Sequence, residues 1–455
     1  MVKQIRRNLS VDIIKKISKK LTSFQIIILG FAAVIVIGTL LLMLPISSQS
    51  GEVTPLNESL FTATSAVCVT GLVLVDTASH WSYFGQAIVL ILIQIGGLGV
   101  ITVASLLAMI AGKKISIMQR QTIQNSLAAP QVGGVVRLTR FIFKTAFLIE
   151  IVGALALLPI FCKRYGLEGI WMSVFHSISA FCNAGFDLMG TKTGHFSSLT
   201  SFSDSIYATV IFCFLIIAGG VGFLTWEDIA TKKTKFKQYR MQSKVIIWTS
   251  IILIVVPAVI FFFVDFTDTP LKERFCASIF QAVSPRTAGF NTEDYSNMKD
   301  SGRAITMILM LIGGSPGSTA GGMKTTTIAI LFANAIAVFR MRRNANYFGR
   351  RIEDSVVKNA ATILFMYLFL SISGALVMGI VESIPLESCM FEAMSAIATV
   401  GLTVGITQQI GIVSQIILIL LMFFGRVGGL TIIYAAFSPK DTYASKYPVE
   451  NIMVG

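Results

Sequence analysis

The stretch Ala66-Val67-Cys68-Val69-Thr70-Gly71-Leu72 sits between two long apolar runs, and altered copies of it recur three times. They read Ala180-Phe181-Cys182-Asn183-Ala184-Gly185-Phe186, Ser284-Pro285-Arg286-Thr287-Ala288-Gly289-Phe290 and Ala396-Ile397-Ala398-Thr399-Val400-Gly401-Leu402. In each, one glycine precedes a large apolar residue, and ten positions before it stand Phe61, Phe175, Ile279 and Phe391. The glycines are 114, 104 and 112 residues apart, so the chain is four copies of one unit. Four short glycine-centred loops meeting at one axis are the expectation.

The 455 residues are 54% hydrophobic and 13% charged, against about 25% charged in soluble domains. Several apolar runs of roughly 20 residues mark a polytopic membrane protein. The first of them, Phe24 to Leu44, follows Lys3, Arg6, Arg7, Lys15, Lys16, Lys19 and Lys20. No small-residue cleavage site follows, so it reads as a retained span and not a leader. Twenty-seven of the 37 Lys and Arg residues fall on segments that are inner if the N-terminus is inside, and eight fall on outer ones. That asymmetry places both termini in the cytoplasm of a plasma-membrane protein and makes the net charge of +14 a topology signal, not a nucleic-acid one. The six cysteines lack C-x-x-C spacing, so neither a transition-metal site nor a disulfide framework is expected.

The expected fold is an all-α membrane protein of eight transmembrane helices, built as four span–pore-helix–span repeats around a pseudo-fourfold central pore. Segment 1–23 reads as cytosolic, 24–112 as the first repeat and 113–230 as a cytosolic connector with the second. Segment 231–339 is a connector with the third repeat, whose second span is broken; 340–437 is a connector with the fourth, and 438–455 a cytosolic tail. In the first unit a half-length helix, Leu56–Cys68, leads to the loop, and the chain returns through about Ser82 to Ile110. Backbone that is not helical survives at membrane depth only against protein or a water-filled cavity. Four such loops imply one shared cavity, in which carbonyls can replace an ion's hydration shell. The half-helices aim their partly negative C-terminal ends at it, so its natural occupant is a cation.

A second pattern recurs in the returning spans. Gly96-Gly97-Leu98-Gly99-Val100-Ile101-Thr102 matches Gly219-Gly220-Val221-Gly222-Phe223-Leu224-Thr225 and Gly425-Arg426-Val427-Gly428-Gly429-Leu430-Thr431. Taken singly, such glycines let helices approach closely. Arg426 stands where the other copies have glycine, and a charge in mid-span is a functional hypothesis by default. It should face the cavity beneath the loops and donate to carbonyls there. The third copy, Gly313-Gly314-Ser315-Pro316-Gly317-Ser318-Thr319-Ala320-Gly321-Gly322, should break its span at a depth where the other three stay intact. Such a loop is a candidate gate. It is not a phosphate cradle, because Met323 intrudes before Lys324 and no strand precedes it.

Other residues carry less. Arg286 is expected to pair with a carboxylate behind the third loop. Asp76 and Asp187 follow their loops and could raise local cation concentration. His80, His176 and His195 lack metal spacing, and no Ser-His-Asp set or carboxylate pair suggests an enzyme.

Together these residues resemble the Trk/Ktr/HKT superfamily of potassium transporters over essentially the whole chain, most closely its Ktr-type membrane subunits, KtrB. The carriers are the four loops, the glycine-rich break and Arg426. The resemblance implies potassium as the transported ion. It implies a selectivity filter of Val69, Thr70, Gly71, Asn183, Ala184, Gly185, Thr287, Ala288, Gly289, Thr399, Val400 and Gly401. It implies a gate formed by Gly313–Gly322 with Arg426. It also implies a homodimer in the lipid, on a ring of cytosolic nucleotide-binding regulatory subunits of the KtrA type. The chain itself carries no cofactor motif, since no strand-linked G-x-G-x-x-G is present, so a nucleotide would act through a separate subunit. In plant relatives serine at the first filter glycine accompanies sodium transport; Gly71 favours potassium. The competing expectation is a secondary transporter coupling potassium or sodium to another ion. Inverted repeats would mark it, whereas the repeats here run in parallel.

Overall fold

The computed structural model describes residues 21–112, 115–127, 131, 133–436, 448 and 450. Residues 1–20 of the basic N-terminal segment, Lys113, Lys114 and almost all of the 438–455 tail lie outside the described residues.

Helices of eight residues or more are numbered in chain order. They are α1 (Ser23–Leu42), α2 (Leu56–Cys68), α3 (Tyr83–Leu98), α4 (Val100–Ile110), α5 (Ile117–Leu127), α6 (Val135–Tyr165), α7 (Glu168–Cys182), α8 (Ile206–Gly220) and α9 (Phe223–Lys232). There follow α10 (Met241–Val264), α11 (Leu271–Val283), α12 (Asp300–Leu311), α13 (Thr325–Phe339), α14 (Asp354–Glu382), α15 (Leu386–Ile397), α16 (Ile412–Val427) and α17 (Gly429–Ala436). A two-residue antiparallel hairpin pairs Asn346 with Arg351 and Tyr347 with Arg350 between α13 and α14.

The first spans α1, α6, α10 and α14 are each long and apolar enough to cross a membrane. Between 28% and 33% of their apolar windows is buried within the chain, so most of their hydrocarbon surface is left for lipid. The fold is that of an all-α, multi-pass membrane protein. Side-chain caps set where several helices start. Thr22 and Gln25 form a reciprocal capping box on α1. Ser82 and Ser205 cap α3 and α8 by accepting from Gly85 and Ala208. Three of the half-helices, α2, α11 and α15, begin directly after Pro55, Pro270 and Pro385, residues that suit a helix start because no amide donor is needed there.

The returning spans correct one expectation. All of them break, not only the third. α3 and α4 meet at 97°, α8 and α9 at 100°, and α16 and α17 at 91°. The hinges are Gly99, Gly222 and Gly428, with φ of 88°, 95° and 90°, a backbone that only glycine adopts at little cost. The third span differs in length of interruption: α12 and α13 are separated by residues 312–324.

A repeated contact fixes the depth of these breaks. A Cβ on Gly96, Gly219 or Gly425 would fall on the carbonyl oxygen of Val67, Phe181 or Ile397, respectively. Each of those carbonyls lies four residues before its loop glycine. The returning span is thus pressed against the end of its own half-helix, and the glycines do pack as the spacing implies.

Because the obstructing atom is backbone, it cannot rotate away. Gly219→Ala should destabilise the protein by about 1–3 kcal/mol or abolish its recovery. Gly133→Ala, with nothing within 4 Å of the new Cβ, should be neutral. Thermal unfolding of the purified proteins in detergent, followed by size-exclusion chromatography, separates the two outcomes.

Candidate functional site

The four loops close into a ring. A Cβ on Gly71 would lie 2.5 Å from the carbonyl oxygen of Ala184, and one on Gly185 would lie 2.9 Å from that of Ala288. One on Gly289 would fall on the oxygen of Val400, and one on Gly401 on that of Thr70. Each glycine therefore abuts the carbonyl just before the next glycine, in chain order, and the circuit returns to its start after four steps. A Cβ at any of the four would have to displace a neighbouring carbonyl. The glycines have φ of 94°, 70°, 80° and 92°, so glycine is required for conformation as well as for space.

Two positions before each glycine stand Val69, Asn183, Thr287 and Thr399, with φ of 57°, 59°, 74° and 53°. Three of these are β-branched, for which the left-handed region costs on the order of 1–3 kcal/mol each. Hydrogen bonds from the half-helices hold them there. Thr70 N–H donates to Ser65 O, Ala184 N–H to Ser179 O and Val400 N–H to Ser395 O, each at 2.8 Å. The side chains of the same serines add a second tie. Ser65 Oγ accepts from Gly71 N–H at 3.0 Å and Ser395 Oγ from Gly401 N–H at 3.1 Å. Ser179 Oγ donates to Phe186 O at 2.7 Å. In the third repeat Pro285 shifts the pattern by one residue, and Ser284 Oγ donates to Phe290 O. These serines were legible: three stand six positions before their glycines.

Beneath the ring lies segment 312–324. Thr319 Oγ donates to Phe181 O at 3.0 Å. A Cβ on Gly321 would fall on Thr399 Oγ, and one on Gly313 would meet Thr287 Cγ2 at 3.2 Å. The segment therefore lies against the inner ends of the second, third and fourth loops. Its amides also supply donors to a broken span: Ser315 N–H to Gly220 O at 2.9 Å and Thr319 N–H to Gly219 O at 3.2 Å. Arg426 reaches the remaining repeat. Its guanidinium donates to Thr319 O in the segment, and to Gly96 O and Gly97 O at the end of α3. Lys324, weighed in the sequence only as the lysine of a phosphate cradle, donates to Ala320 O at 2.9 Å and Gly321 O at 3.2 Å. A lone lysine between a glycine-rich break and an apolar helix was the available signal.

Arg286 does not meet the carboxylate that the sequence led us to expect. It is buried, and its Nη2 donates to Ser250 Oγ at 3.1 Å. The reason is compositional: α10, which carries Ser250, has no acid between Met241 and Val264. Arg286 stands three residues past the C-terminal end of α11, and its Nε has no hydrogen-bond partner among the described residues. Glu392, another residue that the motifs did not mark, is fully buried on α15. It accepts from Thr403 Oγ, from Val404 N–H at 3.3 Å and from Thr407 Oγ at 2.8 Å, ordering the chain after the fourth loop. Among the described residues the histidines belong to no metal-ligand cluster; His176 bonds Met172 O and Leu188 N–H, bracing the chain after the second loop.

Above the ring a vestibule is lined by Gly71, Gly185, Gly289 and Gly401 together with Asp76, Asp187 and Gln408. Asp76 is committed to structure, accepting from Ala78, Ser79 and Phe196 amides at 2.9–3.0 Å. Asp187 accepts from Met189 N–H at 2.9 Å. It lies outside the spans, and burial, with a smaller push from the Asp76 carboxylate, raises its carboxyl to about 7 against the pull of that hydrogen bond. A raised carboxyl is neutral below that value and charged above it. Cation transport at subsaturating concentration should therefore rise as the pH on the vestibule side climbs through about 7, by about twofold to fivefold. Asp187→Asn should remove this step; its persistence in the variant would show that another group titrates.

The chain is similar to known proteins over nearly its whole length. The family model for TrkH, described as a cation transport protein, matches residues 15–446. The potassium/sodium uptake protein NtpJ of Enterococcus hirae is 40% identical, covering 97% of this chain and 99% of that one. The Ktr system potassium uptake protein B of Bacillus subtilis is 36% identical, covering 96% and 97%. The crystal structure of the potassium transporter TrkH from Vibrio parahaemolyticus superposes with a TM-score of 0.73, covering 91% of this chain and 84% of that one. At 18% identity that last match is a likeness of fold. This chain belongs to the TrkH family of cation transport proteins.

Proposed function

We propose that the chain is the potassium-translocating membrane subunit of a Ktr-type uptake system in the plasma membrane, with both termini cytoplasmic. The observation that carries this reading is the closed ring of four glycines, each set against the carbonyl of the next loop. Such a ring can exchange backbone oxygens for the water of a monovalent cation. The ion enters through the acidic vestibule, passes Val69–Gly71, Asn183–Gly185, Thr287–Gly289 and Thr399–Gly401, and meets Gly313–Gly322 and Arg426 below. Transport runs down the membrane potential. Potassium as the ion is supported by the names of the two relatives above. The Ktr system name of one also supports work with a separate regulatory subunit; that this subunit is cytosolic and nucleotide-binding, and that the chain is a homodimer, rests on the resemblance to Ktr-type membrane subunits. A sodium contribution, coupled or not, is the second reading, favoured by the name of the potassium/sodium relative.

The segment and Arg426 act as the barrier. A unit charge about 6 Å from the ion, at an effective dielectric near 20, opposes it by about 3 kcal/mol. A guanidinium keeps that charge at any accessible pH. Removing it should raise flux, while the hydrogen bonds to Thr319, Gly96 and Gly97 explain how the segment is kept in place.

Two variants test this reading in liposomes with an imposed inside-negative potential, with rubidium uptake as the readout. Gly71→Ser places a Cβ at the Ala184 carbonyl and should lower potassium-over-sodium discrimination at least severalfold, on the order of 1 kcal/mol. Unchanged competition by sodium would remove Gly71 from the filter. Arg426→Ala should raise the initial rate by up to about a hundredfold, the equivalent of about 3 kcal/mol, and Arg426→Lys, which keeps the charge, should stay closer to the parent. Equal impairment of both would make Arg426 a strut without a barrier role.

A further inference from the structure

Among the first spans, α6 alone carries an acid in its middle, Glu150. The side chain is 4% exposed. Its two carboxylate oxygens accept from Gln94 Nε2 of α3 at 2.9 and 3.1 Å. Cys182, the last residue of the half-helix α7, donates its thiol to Gln94 Oε1 at 3.4 Å and lies 4.0 Å from Glu150. Ser177 Oγ, also on α7, donates to the Glu150 backbone oxygen at 2.7 Å. Among the described residues no Lys, Arg or His forms a salt bridge with it.

The architecture does not require this polar pair. The residues matching Gln94 in the other bent spans are Ile217 and Phe423, both apolar, and those spans bend by nearly the same angle. An acid at membrane depth is expensive, so its presence at one of the equivalent sites calls for a local reason. That reason lies two and three residues along α3, where Gly96 O and Gly97 O accept from Arg426. Cys182 closes the gap, since a Cβ on Gly97 would come 2.8 Å from its sulfur. The last turn of α3 is therefore held from two directions: through the Gln94 side chain by Glu150, and through its carbonyls by Arg426.

We propose that Glu150 is a positioning residue for the barrier beneath the filter. By fixing Gln94 and Cys182 it sets the α3 turn whose carbonyls keep Arg426 against the 312–324 segment. This inference rests on the barrier role given to Arg426 above. Glu150 itself makes no hydrogen bond to the segment or to the filter carbonyls, so its effect passes through α3.

The test uses the full chain in liposomes and compares the parent, the paired replacement Glu150→Leu with Gln94→Ile, Arg426→Ala, and all three changes together. Replacing both partners leaves only the Cys182 thiol, a weak donor, without its acceptor, so the fold should be retained. The paired replacement should raise basal rubidium flux about fivefold in the parent, and should change it by less than about twofold in the Arg426→Ala background. Glu150→Gln, which keeps the volume and one acceptor, should show the same pattern at lower amplitude. It decides the matter if the paired replacement is not recovered. An equal fold-increase in both backgrounds, or no increase in either while Arg426→Ala is fast, would overturn the role of Glu150 and leave the barrier standing. If Arg426→Ala is itself no faster than the parent, the barrier reading falls, and this inference with it.

Discussion

Arg426 donates hydrogen bonds to carbonyls that belong to two separate interruptions of helix within the membrane, one at Thr319 and one at Gly96 and Gly97. Each helix break frees backbone groups that lipid cannot satisfy, at several kcal/mol apiece. Four breaks at one depth therefore create a shared demand for donors, and the molecule meets it by making the repeats unequal. At α8 the amides of Ser315 and Thr319 serve; at α16 the Tyr367 hydroxyl lies 3.4 Å from Gly425 O; at α3 the guanidinium does. A fourfold chain thus becomes asymmetric beneath its ring, and the same bonds that satisfy the backbone put a segment and a positive charge under the ring.

Above that depth symmetry is kept, and strain is tolerated to keep it. Val69, Thr287 and Thr399 sit in left-handed backbone that β-branched residues normally avoid. The half-helix ends over-determine them through paired amide and serine bonds. Rigidity of this kind suits a site that must discriminate between cations of similar charge, because carbonyls free to relax could close around either ion. Below the ring, glycine, serine and proline dominate residues 313–322, and that segment is held instead by bonds to neighbouring repeats, to Gly219, Gly220, Phe181 and Arg426.

Much of this was legible in the chain. The repeat spacing marked the four loops, and the glycine-rich run and Arg426 stood out because they depart from their own copies. The bends at Gly99, Gly222 and Gly428 were not seen, because a single glycine inside an apolar run leaves hydropathy continuous while allowing a turn of about 90°, as at α16 and α17. The partner of Arg286 was misjudged since it comes from α10, remote in sequence. Ser65, Ser179 and Ser395 could have been found by aligning the repeats six positions upstream, and Glu150 by the same test of departure that exposed Arg426.

The central claim is that the four loops form one ion-coordinating ring. Crystals of the protein grown or soaked in rubidium, and measured at the rubidium absorption edge, test it most directly. The ring predicts anomalous peaks on the pseudo-fourfold axis, within coordination distance of the carbonyls of Thr70, Ala184, Ala288 and Val400. Ordered loops with rubidium peaks only elsewhere in the molecule would contradict it.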